Sequence, residues 1–504
     1  MVDWTAMRSI SDVIRSGVDL DPSSPAVTCG SEQYSYAQLN TRLHALAAAL
    51  TESLGLERGD RVAVLSANCH RYLELYLTVP STGLVLVPVN VRLATPEIHY
   101  ILRDSGTRVL FTDRAIPGID DLDLTVVMIP DEYEALLGGA GETTFWPETS
   151  PDDLAGIFYT GGTTGLAKGV MLTHANLLAN ASSLSSCWPF DIKTTWLLAA
   201  PMFHTAGTIG ALATVANGGR HVVLPAFDPG VLLDLVERER VTSTVAVPAT
   251  LKSLAEEQEA RPRDVSSLVY VCHGSSPASS PLLEHFHSTF PSARLLDVYG
   301  ATECSPIVTL LPDEQLLIGH PRLASSGRAA PNVGVRIAQI EQADGVGEVL
   351  VSGKNVAKGY WNKPDETSSA FRDGWYWSGD VGYLDGDGYL FLVDRSKDMI
   401  VSGSENVYSA EVEAAIATHP AVVEVAVIGI PHERWGEAVH AIVCVDGDVT
   451  ADELIDHCRQ HVAGFKVPKS IEIRSEPLPR SGVGKVLKRE LREPYWAGHE
   501  RRIS

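Results

Sequence analysis

The feature that most constrains the fold is an alternation between two hydrophobic periods. Tyr36-Ala37-Gln38-Leu39 opens a run through Leu43, Leu46, Ala47 and Leu50 with helical spacing. Residues 61–65 and 84–89 are short apolar runs that predict buried strands. Residues 95–102 return to helical spacing, and residues 109–112 to strand. Beyond Gly161 the pattern continues, with strands at 221–224 and 243–247 around a helix at 231–236. Strands separated by helical segments predict a mostly parallel sheet with helices on its faces.

The character changes after about residue 320. Residues 333–340 and 347–351 predict a hairpin, and 379–390 carry turn signals at both ends, so this region is expected to be antiparallel and a separate layer. From Asp394 onward, strands at 422–430, 441–445 and 471–473 and helices at 410–418 and 451–462 predict a small α+β domain. The expected division is 1–393 and 394–504. Residues 194–219 lack Asp, Glu, Lys and Arg and are long enough to span a bilayer. Pro201, His204, Gly207, Gly210, Asn217 and two closing glycines instead predict a buried turn and helix, so no membrane span is expected.

Composition narrows the chemistry. The net charge of -23 argues against nucleic acid and anionic lipid as partners. An anionic substrate must then be met by local basic groups or a metal. The seven cysteines form no CxxC and no Cys/His cluster, which favours a reducing compartment without structural zinc. The N-terminus lacks the basic start and apolar stretch of a secretory signal, so a cytoplasmic protein is expected.

The strongest local signal follows an apolar strand. From Thr160, the sequence Thr160-Gly161-Gly162-Thr163-Thr164-Gly165-Leu166-Ala167-Lys168-Gly169 concentrates glycine, threonine and one lysine. Glycines let backbone N–H groups close on an anion, hydroxyls add donors, and Lys168 adds a point charge. That is what a polyphosphate site needs. It is not GxxxxGK[ST], because Gly169 follows Lys168.

This loop resembles the phosphate-loop signature YTSGTTGxPKGV of the adenylate-forming superfamily, which includes acyl-CoA synthetases, peptide-synthetase adenylation domains and luciferases. Gly161 stands for the serine and Ala167 for the proline. Further motifs follow in family order. Tyr299-Gly300-Ala301-Thr302-Glu303 resembles YGxTE, Ser378-Gly379-Asp380 resembles TGD, and Pro479-Arg480 with Gly484-Lys485 resembles PRxxxGK. Gly347-Glu348 and Gly359-Tyr360-Trp361-Asn362 fit further family positions. The resemblance implies a large N-terminal domain of two helix-flanked, mostly parallel sheets plus a distorted antiparallel β-barrel. It implies a small mobile α+β C-terminal domain hinged at Asp394.

It also implies residue roles. Thr160, Gly161, Gly162, Thr163, Thr164, Gly165 and Lys168 would cradle the phosphates of ATP. Ser275, Ser276, Pro277, Asp297, Tyr299 and Gly300 would surround adenine, with Tyr299 stacked on it. Asp380 and Arg395 would hold the ribose. Thr302 would meet the phosphates, Glu303 with Thr163 would bind Mg2+, and Lys485 would be the adenylation lysine. Phe203, His204, Gly207, Val247, Gly274 and Ala301 would line the acyl pocket, with His204 at its mouth. Gly403 and Ser404 would line the passage for the second substrate, where Ser404 and Ser409 replace the usual glycine and proline.

The implied activity is ATP- and Mg2+-dependent conversion of a fatty, aromatic or alicyclic acid to acyl-AMP, then transfer to CoA. The alternative is a stand-alone amide-bond synthetase that uses an amine or amino acid as acceptor. The partners implied are small molecules, and a homodimer is left open.

Overall fold

The computed structural model describes residues 2–141, 146–160, 167–275, 278–312, 320, 322–339, 345–395, 398–402, 405–432, 435–480 and 486–497; of residues 339, 394, 395, 401, 405, 406 and 436 it describes the backbone only. The chain forms two units. The first comprises Met1–Val335, Val351–Tyr376 and Gly388–Leu390; the second comprises Arg336–Leu350, Trp377–Asp387 and Phe391–Ser504. The second unit thus takes in two stretches that precede Asp394.

In the first unit, Arg61–Leu65 is strand because it is covered on both faces: Val62, Ala63, Val64 and Leu65 are all fully buried. It lies within a six-stranded sheet of order Thr125–Met128, Thr107–Thr112, Arg61–Leu65, Val85–Pro88, Leu154–Thr160, Lys168–Thr173. The first five strands are parallel and the last returns antiparallel. The helix Tyr36–Ala48 starts at Ser35, whose Oγ accepts from Gln38 N while Gln38 Oε1 accepts from Ser35 N. This reciprocal cap satisfies two N–H groups that the first turn leaves open.

A nine-stranded sheet runs Arg328–Ala329, Ile307–Pro312, Arg294–Gly300, Tyr270–Gly274, Ser243–Ala246, Thr195–Leu198, Arg220–Val223, Pro25–Cys29, Glu32–Ser35. Its six middle strands, from Arg294–Gly300 to Pro25–Cys29, are parallel. One apolar core joins the two sheets, with Val62 and Leu86 from one, Trp196 and Leu198 from the other, and Tyr72, Leu75, Leu177 and Ala181 from helices. Each buried valine or leucine among them contributes about 1.5–3 kcal/mol by leaving water. The uncharged stretch 194–219 supplies a core strand, turns and the helix Ala211–Ala216. Among the described residues no helix is long and apolar enough to cross a membrane.

After residue 320 a further sheet forms, in which Phe371–Arg372 runs antiparallel to Trp375–Leu384. Val333–Gln339 neighbours Gly347–Gly353, followed by Trp375–Leu384 and Phe371–Arg372, with Leu390–Arg395 also paired to Trp375–Leu384. The second unit has its own sheet, of order Glu405–Val407, Ile400–Ser402, Gly436–Val445, Val422–His432. Ser470–Arg474 runs parallel to Gly436–Val445. The helices Ser409–Ala417 and Ala451–Arg459 supply Val412, Ile416 and Leu454 to a core with Ile400, Val427 and Val439.

Candidate active site

Ligand sites of parallel sheets form where strands end and loops begin. Thr160 ends its strand, and its register partner on the returning strand is Lys168. The two ends of the phosphate loop are therefore pinned opposite one another. Gly161, Gly162, Thr163, Thr164 and Gly165 lie outside the described residues, as do Ser276, Pro277, Gly403, Ser404 and Lys485. Lys168 Nζ lies 5.1 Å from the centroid of the Tyr360 ring.

The strand Arg294–Gly300 delivers Tyr299 and Gly300 to a tight turn, the 3-10 helix Thr302–Cys304. A Cβ on Gly300 would sit 1.6 Å from the Pro306 carbonyl oxygen, so this close approach requires glycine. Glu303 Oε1 accepts from the Tyr360 hydroxyl at 2.9 Å, and the Glu303 carbonyl accepts from Ala357 N at 2.8 Å. Burial and the Glu303 carboxylate both push the Tyr360 hydroxyl above its usual range, so it stays protonated and donates. Tyr360 thus touches both the phosphate-loop lysine and the acid of the YGxTE motif. The sequence motif flagged its position but gave it no role.

Asp297 is the register partner of His273 on the neighbouring strand, with His273 Nδ1 3.4 Å from Asp297 Oδ1. Burial raises the Asp297 carboxyl, and His273 pulls it back. Burial lowers His273. A Cβ on Gly274 would meet the Val298 carbonyl oxygen at 2.2 Å, and Ser275 follows with φ of 67°.

Of the residues expected at the acyl pocket, Phe203 is buried and packs edge-on against the His204 ring, with centroids 4.5 Å apart. His204 and Gly207 close successive turns, His204 N to the Pro201 carbonyl and Gly207 N to the His204 carbonyl. Val247 is half-exposed at the start of the helix Pro248–Ala260, and Ala301 is partly buried. Beyond this loop, Thr205, Thr208 and Ile209 face Tyr76 and Asn180 across a small gap.

In the second unit, Ser378 Oγ donates to the Val349 carbonyl and accepts from Asp380 N, while Gly379 N donates to Glu348 Oε1. These bonds hold the turn that carries Asp380, and they give Glu348 a purpose. Asp394 and Arg395 end the strand Leu390–Arg395. The residues flanking 403–404, Ser402 and Glu405, are register partners. Arg480 pairs with Val486 and Leu487 N donates to the Pro479 carbonyl, so the Lys485 loop is also closed at its base. Ser409 is buried, and its Oγ accepts from Lys488 Nζ at 2.6 Å, which also pairs with Glu413 Oε1 at 2.7 Å.

A divalent cation fits Glu303. Among the described residues no group of three His, Cys, Asp or Glu could hold a metal ion. A single carboxylate suits Mg2+, which keeps waters and takes its remaining ligands from a nucleotide's phosphates.

Residues 15–361 match the family described as AMP-binding enzyme, and residues 411–485 match its C-terminal domain. The chain is 38% identical to a feruloyl-CoA synthase of Amycolatopsis sp over 499 residues, covering 94% of this chain and 97% of that protein. It is 35% identical to the long-chain-fatty-acid–CoA ligase FadD13 of Mycobacterium tuberculosis, covering 97% and 99%. The structure of o-succinylbenzoate coenzyme A synthetase from Bacillus subtilis with ATP and magnesium ion superposes with a TM-score of 0.86 at 29% identity, covering 95% and 99%. The chain belongs to the AMP-binding enzyme family of the adenylate-forming superfamily.

Proposed function

We propose that this protein joins a carboxylic acid to coenzyme A through an acyl-AMP, using ATP and Mg2+. The observation that carries the reading is the convergence of Lys168 and Glu303 on Tyr360. It brings together a lysine that we read as phosphate-binding and a glutamate that we read as metal-binding. The names of the full-length relatives support CoA as acceptor and a fatty or aromatic acid as substrate.

A carboxylate cannot transfer its acyl group directly, because oxide is a poor leaving group. A carboxylate oxygen attacks the α-phosphate of ATP, the bond to the β-phosphate breaks and pyrophosphate leaves; the thiol sulfur of CoA then bonds to the acyl carbon of the resulting acyl-AMP, AMP leaves, and the thiol proton passes to solvent. The first step crowds negative charge, which Lys168, Lys485 and the N–H groups of the loop 161–165 offset. Glu303 and Thr163 would hold Mg2+, which would supply neutralisation of phosphate charge. Tyr299 and Asp297, with Ser275, Ser276, Pro277 and Gly300, hold the adenine; Asp380 and Arg395 hold the ribose; Thr302 orients the phosphate side. The second unit then turns about Asp394, Lys485 withdraws, and Gly403 and Ser404 border the thiol's approach. Phe203, His204, Gly207, Val247, Gly274 and Ala301 form an apolar acyl wall.

Two measurements test this. Product mass spectrometry with Mg·ATP, a panel of fatty, aromatic and alicyclic acids, CoA and a pool of amines should yield an acyl-CoA. An amide formed while CoA is ignored would overturn the choice of acceptor. Lys485→Ala should abolish acyl-AMP formation and leave conversion of supplied acyl-AMP to acyl-CoA largely intact. Equal loss of both half-reactions would contradict the role of Lys485.

A further inference from the structure

Residues 357–361 lie as an added strand along Lys168–Thr173. Met171 N donates to the Gly359 carbonyl, Lys358 N to the Met171 carbonyl, and Trp361 N to the Gly169 carbonyl, at 2.9, 3.0 and 2.7 Å. Tyr360 faces Val170 in this ladder. Two side-chain bonds lock it there: Tyr360 N donates to Thr367 Oγ1 at 2.9 Å, and Trp361 Nε1 donates to the Asp104 carbonyl at 2.9 Å. The ring is 8% exposed and meets Phe371 edge-on, with centroids 5.5 Å apart. Tyr360 is therefore a fixed post between two motif residues that come from different sheets.

We propose that Tyr360 is a positioning residue that aims Glu303 at the metal and Lys168 at the phosphates of the nucleotide, and keeps the two from pairing with each other. The inference rests on the reading of Glu303 and Lys168 given above. Its hydroxyl engages one oxygen of Glu303 and fixes the carboxylate's orientation, which leaves the other oxygen for a hard cation. Its ring face attracts the Lys168 ammonium at cation–π distance. Among the described residues neither Lys168 nor Glu303 forms an ion pair. Tyr360 gives each a separate partner, so both charges remain available to an incoming Mg·ATP.

The test reads metal binding directly, without the acid substrate and without turnover. Free Mn2+ is counted by electron paramagnetic resonance as it is titrated into protein and ATP, and metal-free ATP binding is measured by calorimetry. Tyr360→Phe should weaken Mn2+ binding about tenfold, the usual loss when a partner behind a metal ligand is removed. It should leave metal-free ATP binding unchanged, because the ring remains. Tyr360→Leu should weaken both, because Lys168 then loses its seat and pairs with Glu303. Glu303→Gln is the control for the underlying reading: if it binds Mn2+ as the wild type does, Glu303 is not a ligand and that reading falls. If Glu303→Gln loses the metal while Tyr360→Phe keeps it, the reading stands and the positioning role of Tyr360 is overturned. Should Tyr360→Phe fail to fold, 3-fluorotyrosine at position 360 supplies the same answer. Its fluorine resonance should shift when Mg2+ is added to the ATP-bound protein and stay still on that addition in the Glu303→Gln background, and an unmoved resonance in both overturns the proposal.

Discussion

At the scale of single residues, the site depends on atoms that are absent. A Cβ on Gly300 would lie 1.6 Å from the Pro306 carbonyl oxygen, and no side chain can swing away to relieve a backbone contact. Gly300→Ala must therefore displace the end of the strand Arg294–Gly300 and, with it, Tyr299 and Glu303. Overpacking of this kind costs about 1–3 kcal/mol. The expected outcome is a lower denaturation midpoint in urea together with loss of acid-dependent pyrophosphate exchange. An alanine variant that exchanges at the wild-type rate would show that the turn is not held as described. The motif residues were legible in the sequence because each motif is short and its spacing is fixed. Tyr360 was visible as a motif position but not as a partner of Glu303, because that hydrogen bond joins residues 57 apart. The His273–Asp297 contact was hidden for the same reason: it exists only once two parallel strands settle into register.

At the scale of elements, Thr160 pairs with Lys168, Ser402 with Glu405, and Arg480 with Val486, each pair flanking a stretch that a sequence motif marks. The motifs marked these stretches, but the pairings that close them carry no periodic signal, and the limits of the elements around them follow from pairing and caps. The strand expected at 441–445 extends to Gly436–Val445 because Val422–His432 pairs along all of it, although Gly436 and Glu437 carry no strand signal themselves. The helix expected at 451–462 ends at Arg459, and its start is fixed by Thr450 and Glu453 capping one another. The departure at Ser409 also becomes intelligible: the Lys488 ammonium ties the first residue of one helix to the helix after the Lys485 loop. Lys488→Met should destabilise the second unit by about 1–3 kcal/mol, since it leaves the buried Ser409 hydroxyl and the Glu413 carboxylate short of a donor. Ser409→Pro should cost less. Proline suits the first position of a helix, Tyr408 before it is already extended, and Lys488 keeps Glu413. Thermal unfolding of the two variants checks the ranking, and the reverse order would show that Ser409 rather than Glu413 anchors Lys488.

At the scale of the whole molecule, acidity and burial together set the response to pH. His70, His174 and His221 are buried in the first unit, at 0%, 0% and 1% exposure. Burial lowers His70 and His174 to about 4 and His221 to about 3, with the Arg71 charge also pressing on His70. Unfolded histidine titrates near 6.5. The native state therefore binds fewer protons than the unfolded state from about pH 6.5 down to about pH 4. Stability is complete above that window and falls as the pH drops through it, by about 1.4 kcal/mol per pH unit for each histidine. Glu74 and Asp297 act with the opposite sign, because burial raises both and the folded chain holds their protons longer. They offset part of the loss, so unfolding should take up between about one and three protons near pH 5. Urea denaturation followed from pH 7 to pH 5 should show the midpoint falling steadily. His221 offers the cleanest single test, because its Nε2 has no hydrogen-bond partner and its shift comes from burial alone. His221→Leu keeps an apolar side chain in the same strand and removes one titrating group. Its stability should depend on pH with a slope smaller by about one proton. A slope equal to that of the wild type would mean that position 221 does not hold its imidazole neutral, and that the acid sensitivity of this unit arises elsewhere.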